Sequence, residues 1–198
     1  MDTLTKSIKE VLVDTWPMIV LSCVVLITIR LAYLITNKQK FSLANEMMML
    51  TFIVYILCLF QIVTNQDVSS VHGINVTLFK ELTRYQIGSR LFFRNIVGNI
   101  IMFIPFGFFT SYYLKLNHRR IIFYSTLIVS IAIELIQLKI GRAFDIDDII
   151  LNMVGSLTGY YLYRVMDKIF GDLSDTIKGS FIVIGILTSI VILAIIVI

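Results

Sequence analysis

The sequence predicts an all-α, integral membrane helical bundle of about six transmembrane helices. Three observations carry that expectation. Of 198 residues, 58% are hydrophobic and 15% charged, with a mean hydropathy of +0.89. A soluble domain holds about a quarter charged residues and an apolar share of about 45–50%. A soluble fold of this size has too much surface to solvate with so few charges. A disordered chain, a disulfide-stapled secreted scaffold and an ordinary cytosolic enzyme are excluded on that ground. Second, the apolar residues gather into six runs that reach or approach the 20 or so residues needed to cross a hydrocarbon core about 30 Å thick. Third, the 17 basic residues fall between those runs. That placement marks topology, and it lacks the basic face or stripe of a nucleic-acid binder.

The runs cover 16–35, 47–63, 96–114, 121–140, 149–163 and 181–198. The first follows Lys6 and Lys9, but acidic Asp2, Glu10 and Asp14 share that stretch and no small-x-small site follows, so it reads as a retained helix and not a signal peptide. Pro105 lies inside the third run and should bend it. Cys23 and Cys58 sit within apolar runs without metal-ligand spacing and read as small buried hydrophobes. Residues 1–74 form a two-helix N-terminal segment with the start of a loop, 75–163 a core, and 164–198 a loop with the last helix. Eight basic residues share the N-terminal side and nine the other. Those nearest the spans, Lys38, Lys40, Arg119, Arg120 and Lys178, place the even-side loops in the cytoplasm and both termini outside.

The long connection 64–94 mixes Ile74, Val76, Leu78, Phe79, Leu82, Ile87, Leu91 and Phe92 with Lys80, Arg84, Arg90 and Arg94. Two readings stand open for it: a segment lying flat at the lipid headgroups, or a loop packed on the bundle.

Inside a membrane each polar group is costly unless it is paired or faces a cavity. Asn95 and Asn99, at i and i+4, point the same way at the start of the third span, with Gly98 between them permitting a close backbone approach. Glu134 and Gln137 share one face of the fourth span. The glutamate needs a cation, a proton or a water-lined cavity, and Arg142 is the partner nearest in sequence. Next come Asp145, Asp147 and Asp148, three carboxylates that repel one another unless a cation or arginine sits among them. Helix capping accounts for one or two of them. Asp148 and Asn152 share a face, and Gly155 and Gly159 form a GxxxG pair suited to close helix packing.

The third span begins, the fourth ends and the fifth begins on one side of the membrane. All nine residues, Asn95, Asn99, Glu134, Gln137, Arg142, Asp145, Asp147, Asp148 and Asn152, are therefore expected to gather at one end of the bundle, as a polar pocket opening to the outer leaflet. His72 and His118 fall on opposite sides, so no Ser–His–Asp arrangement is available, and no P-loop, GxGxxG or HExxH occurs. Carboxylates with one arginine suit a divalent cation, an amine or, through Arg142, a phosphate.

Three strings, NIVGNIIMFIPFG (95–107), IELIQ (133–137) and GRAFDIDDIILNMVGSLTGYYL (141–162), resemble the VanZ-like family of bacterial membrane proteins. Asn75-Val-Thr-Leu78-Phe79 resembles that family's NLxPF segment, with Leu78 where proline is usual. The family's polar positions fall on Asn95, Asn99, Glu134, Gln137, Arg142, Asp145, Asp148 and Asn152, with Asp147 in the same acidic block, and its helix-packing or kink positions on Pro105, Gly107, Gly155 and Gly159. The resemblance implies a multi-pass protein of the bacterial cell membrane, linked to glycopeptide (teicoplanin-type) antibiotic resistance. Its expected partners are the lipid bilayer and a lipid-linked cell-wall precursor, an envelope lipid or a glycopeptide, with no nucleic acid. A rival expectation is a membrane-embedded enzyme acting on a lipid-linked phosphate or glycan. There Asp145, Asp147 and Asp148 would hold a divalent cation and Glu134 would serve as general acid or base. A third is a structural or assembly partner whose polar cluster serves folding alone.

Overall fold

The computed structural model describes residues 2–38, 42–64, 73–79 and 83–170, together with Gly179. Helices dominate: α1 (Asp2–Thr36), α2 (Leu43–Thr64), α3 (Gly98–Leu114), α4 (Arg119–Lys139) and α5 (Ile146–Phe170), with two short strands, β1 (Ile74–Asn75) and β2 (Phe144–Asp145). A single turn, Arg90–Phe92, and a π-helical stretch, Phe93–Val97, lead into α3. Each of the first five expected spans falls on a helix, and the sixth lies outside the described residues. Among the described residues, two helical stretches are long and apolar enough to cross a membrane, Asn95–Leu114 and Arg119–Lys139. Shorter apolar stretches occupy Val20–Thr36 and Asn45–Phe60.

The chain divides into two units, one containing the first helices as far as Gln61 and the other running from Ile62 to Gly171. In the first, α1 ends at Thr36 and α2 begins after Ser42, whose carbonyl accepts from the Glu46 N–H. Arg30 grips Glu46 through two parallel bonds, Nε to Oε2 at 2.8 Å and Nη2 to Oε1 at 3.0 Å. That fork geometry fits guanidinium to carboxylate and joins the two helices beside an otherwise apolar exposed surface.

In the second unit α5 packs along α3 and against α4. The α3–α5 seam is built on glycine. A Cβ at Gly107 would overlap the Ser156 backbone, one at Gly155 the Ile100 carbonyl, and one at Gly159 the Ile104 carbonyl and the Phe108 amide. The seam thus brings the two backbones together as small residues allow in membrane helices. Gly98 does something else. A Cβ there would meet only the Phe93 carbonyl, at an ordinary 3.6 Å, so the close approach expected at this glycine does not occur.

Helix α4 is amphipathic in the reverse sense of a soluble helix. Ile122, Thr126, Ser130, Glu134 and Gln137 are buried, while Tyr124, Ile128 and Leu135 are more than half exposed. Polar groups inward and apolar groups outward is the arrangement that a hydrocarbon solvent favours. The buried stripe is satisfied locally: Thr126 Oγ1 pairs with Ser156 Oγ, and Ser130 Oγ accepts from Asn152 Nδ2 at 2.8 Å.

Candidate functional site: a polar pocket at one end of the helical unit

The pocket is assembled by the way α4 stops. Gly141 takes φ +92°, where glycine has no steric penalty, and its N–H bonds the Leu138 carbonyl while the Arg142 N–H bonds the Gln137 carbonyl at 2.9 Å. This is a Schellman ending, and it turns the chain back over the last helical turn so that Arg142 lies above Gln137. Oriented to satisfy both neighbours, the Gln137 amide accepts from Arg142 Nη1 at 2.6 Å and donates to Glu134 Oε1 at 3.1 Å. Glu134 Oε2 accepts from the Asp145 N–H at 2.8 Å. The arginine and the glutamate are therefore linked through Gln137 and not by the direct pair that their closeness in sequence suggested. The relay keeps a carboxylate that is 1% exposed fully hydrogen-bonded, as burial requires.

The three aspartates accept from four different donors. Asp145 caps α5: its Oδ1 accepts from the Asp147 N–H at 2.9 Å, the second amide of the helix, and its Oδ2 accepts from Asn75 Nδ2 at 2.9 Å. Asp147 Oδ1 accepts from the Phe79 N–H at 2.7 Å. Asp148 Oδ1 accepts from Asn99 Nδ2.

These bonds answer the open question about the long connection. Residues 74 and 75 pair in parallel with 144 and 145, the Phe144 N–H bonds the Gly73 carbonyl, and Phe79 is held on Asp147. This part of the connection is a loop packed on the site. Its side chains Ile74, Val76, Leu78 and Phe79 nevertheless stay more than half exposed, so the loop places an apolar fringe beside polar groups. The side chains of Lys80, Arg90 and Arg94, with His72, lie outside the described residues.

Seven of the nine expected residues line one pocket of about 30 Å³: Asn95, Asn99, Glu134, Gln137, Arg142, Asp148 and Asn152. Val63, Met102, Phe103 and Ile133 complete its wall. Asp145 and Asp147 stand behind it as scaffold, committed to Asn75 and to the Phe79 amide. The divalent-ion candidates thus separate. An ion in this pocket would meet Glu134 and Asp148, while Asp145 and Asp147 would hold the walls.

Sequence reasoning missed four contributors. Ser130, the partner of Asn152, was hidden as one more small residue in an apolar run. Asn75 carried a signal, the asparagine of its NVTLF string, but no spacing tied it to Asp145. Phe79 acts through its backbone, which residue type does not reveal. The π-helical stretch around Asn95 has no sequence signature, although such wide turns recur at functional sites.

The VanZ/LLP1 family model matches residues 18–167. The chain belongs to the VanZ/LLP1 family. It is also similar to Protein VanZ of Enterococcus faecium, 39% identical over 82 residues, a match covering 38% of this chain and 48% of that protein. The chain spans about half the length of that relative. No solved structure matches. The family is membrane-associated, in keeping with the two helices long and apolar enough to cross a bilayer.

Proposed function

We propose that this protein is a multi-pass component of the bacterial cell membrane that lowers susceptibility to teicoplanin-type glycopeptides, with the polar pocket as its working part. Family membership supports the first half of that reading. The second half rests on one observation, the convergence of polar side chains from three helices and the loop after α4 on a single pocket. Membrane helices place polar groups together where they bind or conduct something. The exposed apolar loop next to the pocket suits an amphiphile, such as an envelope lipid, a lipid-linked cell-wall precursor or the antibiotic itself.

Teicoplanin susceptibility tests this directly in a host expressing wild type, Arg142→Ala or Glu134→Gln at equal membrane levels. Both variants are expected to lose at least three quarters of the protection. Full protection in both removes the pocket from the function. The pocket end is further assigned to the outer face. An impermeant maleimide should label Ile87→Cys, 89% exposed, in intact cells, and should leave Asn117→Cys at the opposite end unlabelled until the cells are opened. The reverse pattern inverts the topology.

A further inference from the structure

We propose that the groove between α4 and α5, at the end opposite the polar pocket, holds the phosphate of an anionic phospholipid of the phosphoglycerol class, gripped by Arg119 and Arg120. This site lies apart from the pocket and stands or falls without it. Arg119, Arg120, Phe123 and Tyr124 of α4 line the groove together with Leu157 and Tyr161 of α5, and it offers about 370 Å³. Sites for small molecules run from about 300 to 1,000 Å³, so a phosphoglycerol headgroup fits.

The turn between α3 and α4 fixes where the two arginines stand. The Asn117 carbonyl accepts from Tyr160 Oη at 3.1 Å, and Asn117 Oδ1 accepts from Arg164 Nη1 at 2.8 Å. Those bonds tie the start of α4 to α5 and engage Arg164. Arg119 Nη1 reaches Tyr161 Oη at 3.5 Å. That long contact to a neutral oxygen yields to a phosphate oxygen, because charge-assisted bonds are shorter and about twice as strong. Arg120 is exposed, and among the described residues no carboxylate lines the groove. Two planar guanidinium groups on one groove match the oxygens of a phosphodiester.

The walls name the rest of the ligand. Beyond the arginines the groove is aromatic and aliphatic, and its faces continue along the helices through exposed Ile128 and Ile131 on α4 and Val154 on α5. Ile128 and Ile131 follow Tyr124 at helical spacing and Val154 precedes Leu157, so each shares a face with a groove residue. An acyl chain has an apolar track there, and a soluble anion has no use for one. Tyr124 and Tyr161 put an amphipathic ring on either wall, the residue type that settles at headgroup level. With two positive charges and no described carboxylate, the groove favours a headgroup without an ammonium, phosphoglycerol over phosphoethanolamine or phosphocholine. Membrane orientation alone accounts for basic residues at a helix end, but it calls for neither a cavity between two helices nor tyrosines inside it. Basic pockets between membrane helices suit anionic headgroups.

The test uses the full-length protein in detergent, mixed with equal amounts of dioleoyl phosphatidylglycerol, phosphatidylethanolamine and phosphatidylcholine, and native mass spectrometry to count the lipid that stays bound. Phosphatidylglycerol should be retained at least tenfold over each of the others. Arg119→Gln combined with Arg120→Gln should abolish that preference. Arg119→Lys with Arg120→Lys keeps the charge and loses the forks; it should lower the preference at least threefold, and it keeps the test sound if the glutamine pair fails to fold. Leu157→Trp, which narrows the groove and leaves every charge in place, should also lower it at least threefold. Lys115→Gln with Lys168→Gln removes two exposed charges from the same end outside the groove and should leave the preference within twofold. Equal retention of the three lipids overturns the proposal, as does a wild-type preference in the arginine variants. An equal loss in the lysine-to-glutamine pair also overturns it, since that result reports diffuse surface charge. Displacement of the bound lipid by millimolar glycerol 3-phosphate overturns it as well, because the ligand is then a soluble anion.

Discussion

Helix α5 meets its two neighbours in opposite ways. Toward α3 it offers Gly155 and Gly159, and the backbones approach until no methyl group fits. Toward α4 it offers Asn152 and Ser156, which bond Ser130 and Thr126, and beside Asn152 a space of about 30 Å³ stays open. One seam is closed by the absence of side chains and the other is spaced by short polar ones. The contrast shows how one membrane helix can close tightly along one face and keep a polar gap along the next. Without a hydrophobic force between helices in lipid, close van der Waals contact must supply the firmness against which the polar gap is held.

That comparison is broken most severely at the glycines. Gly155→Ala and Gly159→Ala should each cost about 3 kcal/mol or more, since overpacking here pushes backbone against backbone. The monodisperse peak in detergent size-exclusion chromatography should shrink or vanish, and a wild-type profile for both would show that the seam opens easily. Asn75→Ala comes next, at about 1–2 kcal/mol for a half-buried bond to Asp145. It should expose the loop, so faster hydrogen exchange at residues 73–79 with little change in α3 is the expected result. Asn152→Leu should fill the gap at a net cost of about 1 kcal/mol, since the lost bond to Ser130 is partly offset by removal of an unpartnered acceptor, while abolishing protection against teicoplanin. Protection that survives a filled pocket would detach the gap from the function. In a double-mutant cycle, Thr126→Val with Ser156→Ala should give a coupling of about 0.6 kcal/mol, the usual size for polar pairs between membrane helices. Smallest of all is Gly98→Ala, whose helical φ of −58° and open surroundings predict a change within about 1 kcal/mol, toward greater stability. Thermal unfolding compares it with Gly155→Ala and reads the seam against a control glycine on the facing helix.

Much of the site was legible before any coordinates. Glu134, Gln137, Arg142 and the asparagines stand out because a charge or amide in an apolar run has few neutral explanations, and helical spacing states which of them share a face. The aspartates were harder. Their crowding in 145–148 suggested an ion, and the donors found on them come from residues 75, 79 and 99, where no local pattern points that far along the chain. Gly98 and Gly107 look alike as letters, yet only Gly107 touches another backbone, because closeness depends on which face of α3 meets α5.

By itself, then, the sequence determined a helical, membrane-class chain with its costly groups gathered at one end, since hydropathy and periodicity are local properties that solvent reads directly. Tertiary structure decided which of those groups face the pocket and which hold its walls, that Gln137 stands between Arg142 and Glu134, and that Asn152 keeps an acceptor unpaired. Those are matters of a few tenths of a nanometre between segments far apart in the chain. Hydrogen-bond direction and packing settle them only when the helices have met.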